Sequence, residues 1–353
     1  MSAAGPSQGA NAPLGGSATA AGVERGGHMS AARPPVGANA PLGGSATAAG
    51  VERGGHDYRL DFSGWMSARQ AEVEDALSRW IRPDAPAGLG QTMRYAALDG
   101  GKRLRPLLTL AASQAVLGNA EAALRAACAV ELIHAYSLVH DDLPCMDDDV
   151  LRRGKPTAHV RFGQAQALLA GDALQALAFE LLTPDGDAVP PAMQAALCRL
   201  LARAAGARGM AGGQAIDLAS AGKPLPEPEL RAMHQLKTGA LLQACVNMGA
   251  ATGEAAPAAA RAALHDYGAA IGLAFQVVDD ILDVAADSAA LGKTAGKDAA
   301  AGKPTYVSVL GLPASRALAE ALRVQAHQAL DASGLPHVQR LRALADLVVQ
   351  RKS

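Results

Sequence analysis

The sequence contains few aromatic residues, which make up 3% of its 353 residues, although half of all residues are apolar. Alanine and leucine are abundant, and β-branched residues are few. Alanine and leucine favour helices, whereas strands are enriched in the aromatic and β-branched residues that are scarce here. We therefore predict an all-α fold with enough apolar side chains for a large core.

Cysteine is also scarce, and its spacing excludes two kinds of protein. The four cysteines, Cys128, Cys145, Cys198 and Cys245, form no CxxC pair and are spread over a long chain. Disulfide scaffolds and zinc ribbons need closer and more regular spacing. We interpret the four residues as reduced thiols and expect a cytoplasmic protein.

The sequence has no excess of basic charge, since its formal net charge is −1. Nucleic acid or an anionic membrane surface is therefore not expected as the main partner. The sequence also shows no apolar run near the roughly 18 residues that span a bilayer, and its N-terminus lacks the order of a secretory signal. We expect a protein that is neither membrane-spanning nor exported.

A repeated segment separates the N-terminus from the rest of the chain. The sequence from Gly9 to His28 recurs letter for letter from Gly37 to His56. It is rich in Gly, Ala, Pro and Ser and has almost no large apolar residue to bury. We predict a disordered extension over residues 1–56 and a single domain over residues 57–353.

Apolar residues recur with helical period after residue 57, between short breaks of glycine and proline. Two of the segments, Ala120–Leu143 and Ala258–Val284, are apolar nearly all round, which is typical of the central helices of a large helical bundle. Helices are predicted at residues 65–80, 88–99, 104–117, 119–142, 160–182, 191–219, 227–252, 257–285, 313–332 and 337–351.

Two acidic clusters end these two apolar segments. The first contains Asp141, Asp142 and Asp147 with two further aspartates, and five carboxylates within nine residues repel one another unless a cation lies among them. Pro144 should end the helix and turn Asp147 back toward the aspartate pair. The second cluster is Asp279-Asp280-Ile281-Leu282-Asp283, whose first and last carboxylates share one helical face.

All-oxygen carboxylate sites suit Mg²⁺, which completes its coordination with substrate phosphates, so two such clusters could hold one diphosphate between them. Each cluster alone could instead be a solvated helix end. A di-iron bundle is a third interpretation, because Glu131 and His134 form an ExxH motif. That kind of site needs a second ExxH, which the sequence lacks.

Basic residues that could bind phosphate occur in several short segments. The sequence GGKRLRP, Gly100–Pro106, places three cations after a glycine pair, where backbone can approach an anion closely. It lacks the spacing of a Walker loop, and a solvated basic turn is the alternative. Further cations are Arg152, Arg153, Lys237, Lys293 and Lys303, and arginine offers a planar fork for phosphate oxygens.

The motifs GGKRLRP, ELIHAYSLVHDDLPCMDDDVLRRGKPTAH, GGQAIDL, KTGALL and FQVVDDILD occur in this order. Together they strongly resemble the trans-isoprenyl diphosphate synthases, with the greatest likeness to bacterial-type farnesyl diphosphate synthases. The resemblance runs from about Leu60 to the end of the chain. It implies a helical bundle with a central cavity, a Mg²⁺ requirement and a homodimer.

The resemblance also implies roles for individual residues. Mg²⁺ ions bridging to an allylic diphosphate would be held by Asp141, Asp142, Asp147, Asp279, Asp280 and Asp283. The same diphosphate would be contacted by Arg152, Lys237 and Lys303, with Lys293 nearby. Isopentenyl diphosphate would be bound by Lys102, Arg105, His134 and Arg153. The reacting carbons would face Gln276 and the carbonyl of Thr238, while Gln214 and Asp217 would brace the site.

The implied reaction joins isopentenyl diphosphate to dimethylallyl and then geranyl diphosphate, giving farnesyl diphosphate. Product length would depend on bulk just before the first aspartate cluster, at Tyr136 and Ser137. A geranylgeranyl diphosphate synthase is the alternative. Terpene cyclases need no second diphosphate site and typically differ in the second motif, and non-catalytic partner subunits tend to lose aspartates that are all present here.

Overall fold

The computed structural model describes residues 54–98, 100–220, 222–223, 225–285 and 304–351. Most of this part of the chain is helical, which confirms the predicted all-α fold. The helices are α1 Gly54–Trp80, α2 Leu89–Ala97, α3 Leu104–Ala115, α4 Ala120–Asp141, α5 Ala158–Phe162, α6 Gln164–Leu182, α7 Pro191–Ala205, α8 Met210–Ala219, α9 Glu227–His234, α10 Ala240–Ala251, α11 Ala258–Ala285, α12 Tyr306–Leu310, α13 Leu312–Ala332 and α14 Gln339–Gln350.

Helices α4, α10 and α11 lie at the centre of the bundle, as the apolar character of two of them predicts. Helix α4 packs against α3 and α6, and α10 packs against α3 and α11. Small residues allow the closest of these approaches. A Cβ at Gly249 of α10 would lie 2.3 Å from the carbonyl oxygen of Thr109 in α3. The two acidic motifs thus lie at the ends of core helices, whose position is fixed by packing.

Two helices, α4 and α6, have the length and composition of a membrane-spanning segment. The prediction that no apolar stretch is long enough to span a bilayer is therefore wrong for α4 and α6. In α4 the most apolar stretch is 67% buried within the protein, and in α6 it is 39% buried. Core helices of this length satisfy the same criterion.

The structure divides three segments that we predicted as continuous helices. Residues 160–182 are interrupted at Gly163, which adopts a φ of 91°. Residues 191–219 are interrupted by a turn in which a Cβ at Gly209 would lie 2.1 Å from the Ala204 carbonyl oxygen. Residues 227–252 contain the π-helical turn Gln235–Gly239. The periodicity continues through all three breaks because the flanking helices bury apolar faces on the same core.

Other differences concern short elements and helix ends. A hairpin of β1 Leu151–Arg152 and β2 Lys155–Pro156 follows the first acidic motif, and neither this hairpin nor α12 was predicted. Helix α1 begins at Gly54, so its first turn lies within the residues assigned to the extension. The rest of that assignment, residues 1–53, lies outside the described residues.

Candidate active site

The first acidic motif turns back on itself as the position of Pro144 predicts. Helix α4 ends at Asp141, and the backbone N–H of Asp147 donates to the Asp141 carbonyl at 2.9 Å. The N–H groups of Met146 and Asp148 both donate to the Leu143 carbonyl. These bonds confirm the predicted curl, which brings the backbone of Asp147 beside Asp141.

Asp141 lies near two other carboxylates, those of Asp142 and Asp147. Burial, together with the neighbouring Asp147 and Asp142, raises the pKa of its carboxyl to about 6, against the lowering effects of Lys237 and Arg152. The side chain of Gln214 donates to Oδ1 of Asp141 at 2.9 Å, which fixes the orientation of the carboxyl. A cation bound at this position would stabilise the ionised carboxylate.

Asp142 is in a different situation, although it is the next residue. Its side chain is 5% exposed, and Arg152 from β1 donates from Nη2 to Oδ1 at 2.6 Å and from Nε to both oxygens. The hairpin brings this guanidinium beneath the end of α4. Burial raises the pKa of the Asp142 carboxyl, and Arg152 opposes that rise. Both oxygens of Asp142 are therefore engaged by one arginine fork.

The second acidic motif shows a similar division of roles. Asp279 is 41% exposed and accepts from Nη2 of Arg351 at 2.7 Å. Asp280 is 2% exposed and accepts from the backbone N–H of Tyr306 at 2.7 Å and from Gln276 at 2.8 Å. Asp280 thus connects α11 to the start of α12. Asp283 lies one turn after Asp279 and is buried.

The π-helical turn carries Lys237 and Thr238 toward the acidic motifs. Nζ of Lys237 donates to Asp217 of α8 at 2.5 Å, and the Thr238 hydroxyl donates to Gln276 of α11 at 3.0 Å. Helix α8 lies directly against the turn, since a Cβ at Gly213 would lie 2.1 Å from the Lys237 nitrogen. This turn therefore joins three helices around the same space.

Within GGKRLRP, Arg103 has a structural position. It adopts a φ of 48°, is 5% exposed, and forms ion pairs of 2.6 Å with both Glu74 and Glu131. It also donates to the carbonyl of Ala97. The pairing of Glu131 with Arg103 does not favour Glu131 as a metal ligand in an ExxH site. In the described ranges, no three His, Cys, Asp or Glu side chains are arranged to hold a metal ion.

The other two cations of the same segment, Lys102 and Arg105, line a cavity together with Glu131. Burial lowers the pKa of Lys102, as does the nearby Arg351, and burial also lowers the pKa of Arg105. The Nε atom of Arg105 is buried without a hydrogen-bond partner. A multivalent anion would compensate the charge of these groups.

Gly101 permits the approach of a further arginine. It adopts a φ of 132°, and a Cβ there would lie 2.8 Å from Nη1 of Arg153. That same Nη1 donates to the Gly100 carbonyl at 2.7 Å. His134 lies close to these groups, and burial together with four arginines holds its pKa well below the usual value. His134 is therefore neutral and can donate one hydrogen bond to an anion.

Two adjoining cavities bring about half of the predicted residues together. The first, of about 560 Å³, is lined by cations and apolar side chains, among them Lys102, Arg105, His134, Arg153, Phe275 and Arg351. The second, of about 380 Å³, is lined by polar and apolar side chains, among them Arg105, His134, Tyr136, Ser137, Asp141, Gln214, Lys237 and Thr238. Arg105 and His134 line both cavities, so the two spaces meet at these side chains.

Arg351 is a site residue that sequence reasoning missed. It lies directly after α14, is largely buried, and stacks on Phe275 with its guanidinium carbon 3.9 Å from the ring centroid. It has no motif around it, and 71 residues separate it from Asp280 in the chain. In contrast, the predicted Lys293 and Lys303 lie outside the described residues.

The acidic residues differ in how well they suit a magnesium ion. The donor set is all-carboxylate, as Mg²⁺ prefers, and a bound cation would oppose the rise in the pKa of Asp141 that burial and the neighbouring aspartates cause. Asp142 and Asp280 are enclosed by Arg152 and by the start of α12. On these grounds Asp141 fits a metal better than Asp142 and Asp280 do.

A helical bundle that combines two aspartate motifs with cavities lined by cations defines a class of protein that acts on diphosphates. The family model for polyprenyl synthetase matches residues 86–334. The chain belongs to this family.

The names of relatives within the family specify more than one product. A probable farnesyl diphosphate synthase of Bradyrhizobium diazoefficiens is 51% identical over 79% of this chain and 85% of its own length. Geranylgeranyl pyrophosphate synthase 12 of Arabidopsis thaliana is 45% identical over 84% of this chain and 83% of its own. The crystal structure of an FPP/GFPP synthase from Zymomonas mobilis is 42% identical, with a TM-score of 0.73 over 82% of this chain and 99% of that one.

Proposed function

We propose that this protein condenses isopentenyl diphosphate with dimethylallyl diphosphate and then with geranyl diphosphate, releasing diphosphate and forming farnesyl diphosphate. The observation that carries the proposal is the pair of adjoining cavities, because this reaction needs two diphosphates held side by side. The family membership and the likeness to farnesyl diphosphate synthases support it.

The first cavity suits isopentenyl diphosphate, the substrate that keeps its diphosphate group during the reaction. Lys102, Arg105, Arg153 and Arg351 would bind its diphosphate directly, and neutral His134 would donate a hydrogen bond. These positive charges lie close together and repel one another, so a diphosphate is strongly attracted. Phe275 supplies an apolar wall for the five-carbon chain.

The second cavity suits the allylic diphosphate. Asp141, Asp147 and Asp279, with Asp283 beside them, would hold Mg²⁺, which neutralises charge on the departing diphosphate. Lys237 would contact the same diphosphate from the π-helical turn. Asp142 and Asp280 would act indirectly, by orienting Arg152 toward the diphosphate and by fixing α12 against α11.

The steps of the proposed reaction follow from the positions of the charged side chains. The allylic C–O bond breaks, its electron pair leaves with diphosphate, and Lys237 and Arg152 stabilise that developing charge. The alkene of isopentenyl diphosphate attacks the allylic cation, facing Gln276 and the Thr238 carbonyl. A proton is then lost to the released diphosphate. Among the described residues, Glu131 is bound by Arg103 and His134 is surrounded by arginines, so neither is favoured as the base.

Replacing Lys102 with alanine should raise the KM for isopentenyl diphosphate by about 10- to 100-fold. A hydrogen bond to a charged group contributes about 1.5–3 kcal/mol, and the substitution removes such a donor from the first cavity only. Steady-state kinetics with each substrate varied in turn would measure the effect. Arg340→Ala is the matched control, because Arg340 contacts Gln114 and Trp65. An equal rise in both KM values would contradict the assignment of this cavity.

Tyr136→Ala should change the product from C15 to C20 or longer. Tyr136 lies five residues before Asp141, about 7.5 Å back along the axis of α4, and its ring lines the second cavity. A hydrocarbon tail growing away from Asp141 would meet this ring. Product sizing after incubation with excess isopentenyl diphosphate would show the change, and an unaltered C15 product would place the end of the cavity elsewhere.

A geranylgeranyl diphosphate synthase is the second candidate, since one relative at 45% identity carries that name. The aromatic ring of Tyr136 in the cavity wall favours the shorter product. A terpene cyclase would not need the cationic first cavity, and a non-catalytic subunit would not need both motifs.

We also propose a cytoplasmic homodimer. Leu168 and Leu169 on α6 are 46% and 53% exposed, which suits burial against a second copy of the chain. Sedimentation at micromolar concentration would give the mass; a monomer under those conditions would contradict the dimer.

A further inference from the structure

Tyr136 and His140 form an aromatic pair on one face of α4. They are four residues apart, their ring centroids are 5.7 Å apart, and the rings meet edge to face at 76°. Such pairs contribute about 0.5–1.5 kcal/mol beyond the area they bury. The orientation of one ring therefore depends on the other.

Helix α6 holds both rings from the opposite side. Nε2 of His140 lies 3.0 Å from the carbonyl oxygen of Leu168, so this nitrogen carries the proton and donates. Gln175 hydrogen-bonds the Tyr136 hydroxyl. Helices α4 and α6 run antiparallel. His140 therefore lies against Gly171, and Tyr136, one turn earlier in α4, lies against Gln175, one turn later in α6.

Gly171 provides the space that the imidazole occupies. A Cβ at this position would lie 2.1 Å from Nε2 and 2.4 Å from Cδ2 of His140. Such distances are far below van der Waals contact, so any larger residue at 171 would displace the ring. The backbone of Gly171 is helical, which leaves close approach as the reason for glycine here.

Both rings also reach the wall of the second cavity, on the side of Asp141. We propose that His140, packed on Gly171, is a positioning residue for product length that fixes the Tyr136 ring across the path of the growing hydrocarbon. The inference rests on the proposed prenyl transfer and adds a determinant that lies on a second helix. Gln175 holds the hydroxyl end of Tyr136, and the contact with His140 further restricts rotation of the ring about its side-chain bonds.

Gly171→Ala tests this without altering either ring. We expect the ratio of C20 to C15 product to rise at least tenfold, since the displaced imidazole frees the Tyr136 ring. His140→Ala should give the same shift by removing bulk, and it remains informative if Gly171→Ala fails to fold. Gly64→Ala is the matched control, because a Cβ at Gly64 in α1 meets nothing within 4 Å. Thermal melts would establish that each variant is folded.

A double-mutant comparison separates positioning from general loosening of the bundle. In a Tyr136→Ala background, Gly171→Ala should cause no further lengthening, because both changes act through the same ring. The inference is overturned if folded His140→Ala or Gly171→Ala keeps the wild-type product ratio, or if the shift persists without Tyr136. A wild-type protein that forms no prenyl product would instead refute the proposed function.

Discussion

Replacing Asp141 with alanine is expected to lower turnover by about three orders of magnitude, comparable to the loss of a principal group that stabilises transition-state charge. The carboxylate lies at the end of α4, where burial and neighbouring aspartates raise its pKa to about 6. In the proposed reaction it holds the cation that meets the leaving diphosphate. Steady-state turnover at saturating substrates and Mg²⁺ would measure the loss.

Asp148→Asn is the matched control for this prediction. Asp148 belongs to the same acidic cluster but is exposed, and its φ of 51° is one that asparagine tolerates. Its turnover should stay near that of the wild type. Equal turnover in the two variants, or full activity in EDTA, would mean that the first motif does not act through a metal.

Arg103→Met is expected to lower the free energy of unfolding by about 3–5 kcal/mol. Arg103 forms a buried pair with Glu131, whose side chain is 8% exposed, and a second pair with Glu74. Removing one partner of a buried pair leaves an uncompensated charge, which costs about that amount. Urea denaturation would report the change as a lower midpoint.

An exposed ion pair provides the comparison for Arg103. Arg82 pairs with Asp84 at 2.7 Å, with side chains 75% and 62% exposed, so Arg82→Ala should leave the urea midpoint close to that of the wild type. If Arg103→Met has no larger effect than Arg82→Ala, the buried network does not stabilise the fold. The pair of variants would also show that one cation of GGKRLRP is structural while its neighbours line a cavity.

The two acidic motifs could be predicted from sequence because their chemistry is local. Carboxylates that are close together in sequence repel one another in any fold, and Pro144 ends a helix whatever packs around it. The fold class follows from composition and from helical periodicity. The predicted curl at Asp147 involves residues only six apart, so it needed no tertiary information.

Sequence could not separate the aspartates by role, because that division depends on distant partners. Asp142 is engaged by an arginine on a hairpin, and Asp280 by the backbone of Tyr306, 26 residues later. Arg351 contributes to the site only because α14 packs beside α11. The role of Gly171 likewise becomes apparent only when α6 lies against α4.

The π-helical turn Gln235–Gly239 has a consequence for insertions and deletions. A π turn bonds residue i to i+5, so it contains one residue more than an α-helical turn would. Deleting one residue would restore a regular helix with the faces of α9 and α10 nearly unchanged, because the extra residue is taken up within the turn. Leu230 and Met233, both buried, would stay in the core, whereas Lys237 and Thr238 would lose their contacts with Asp217 and Gln276. We expect this segment to accept substitutions in evolution while its length stays constant.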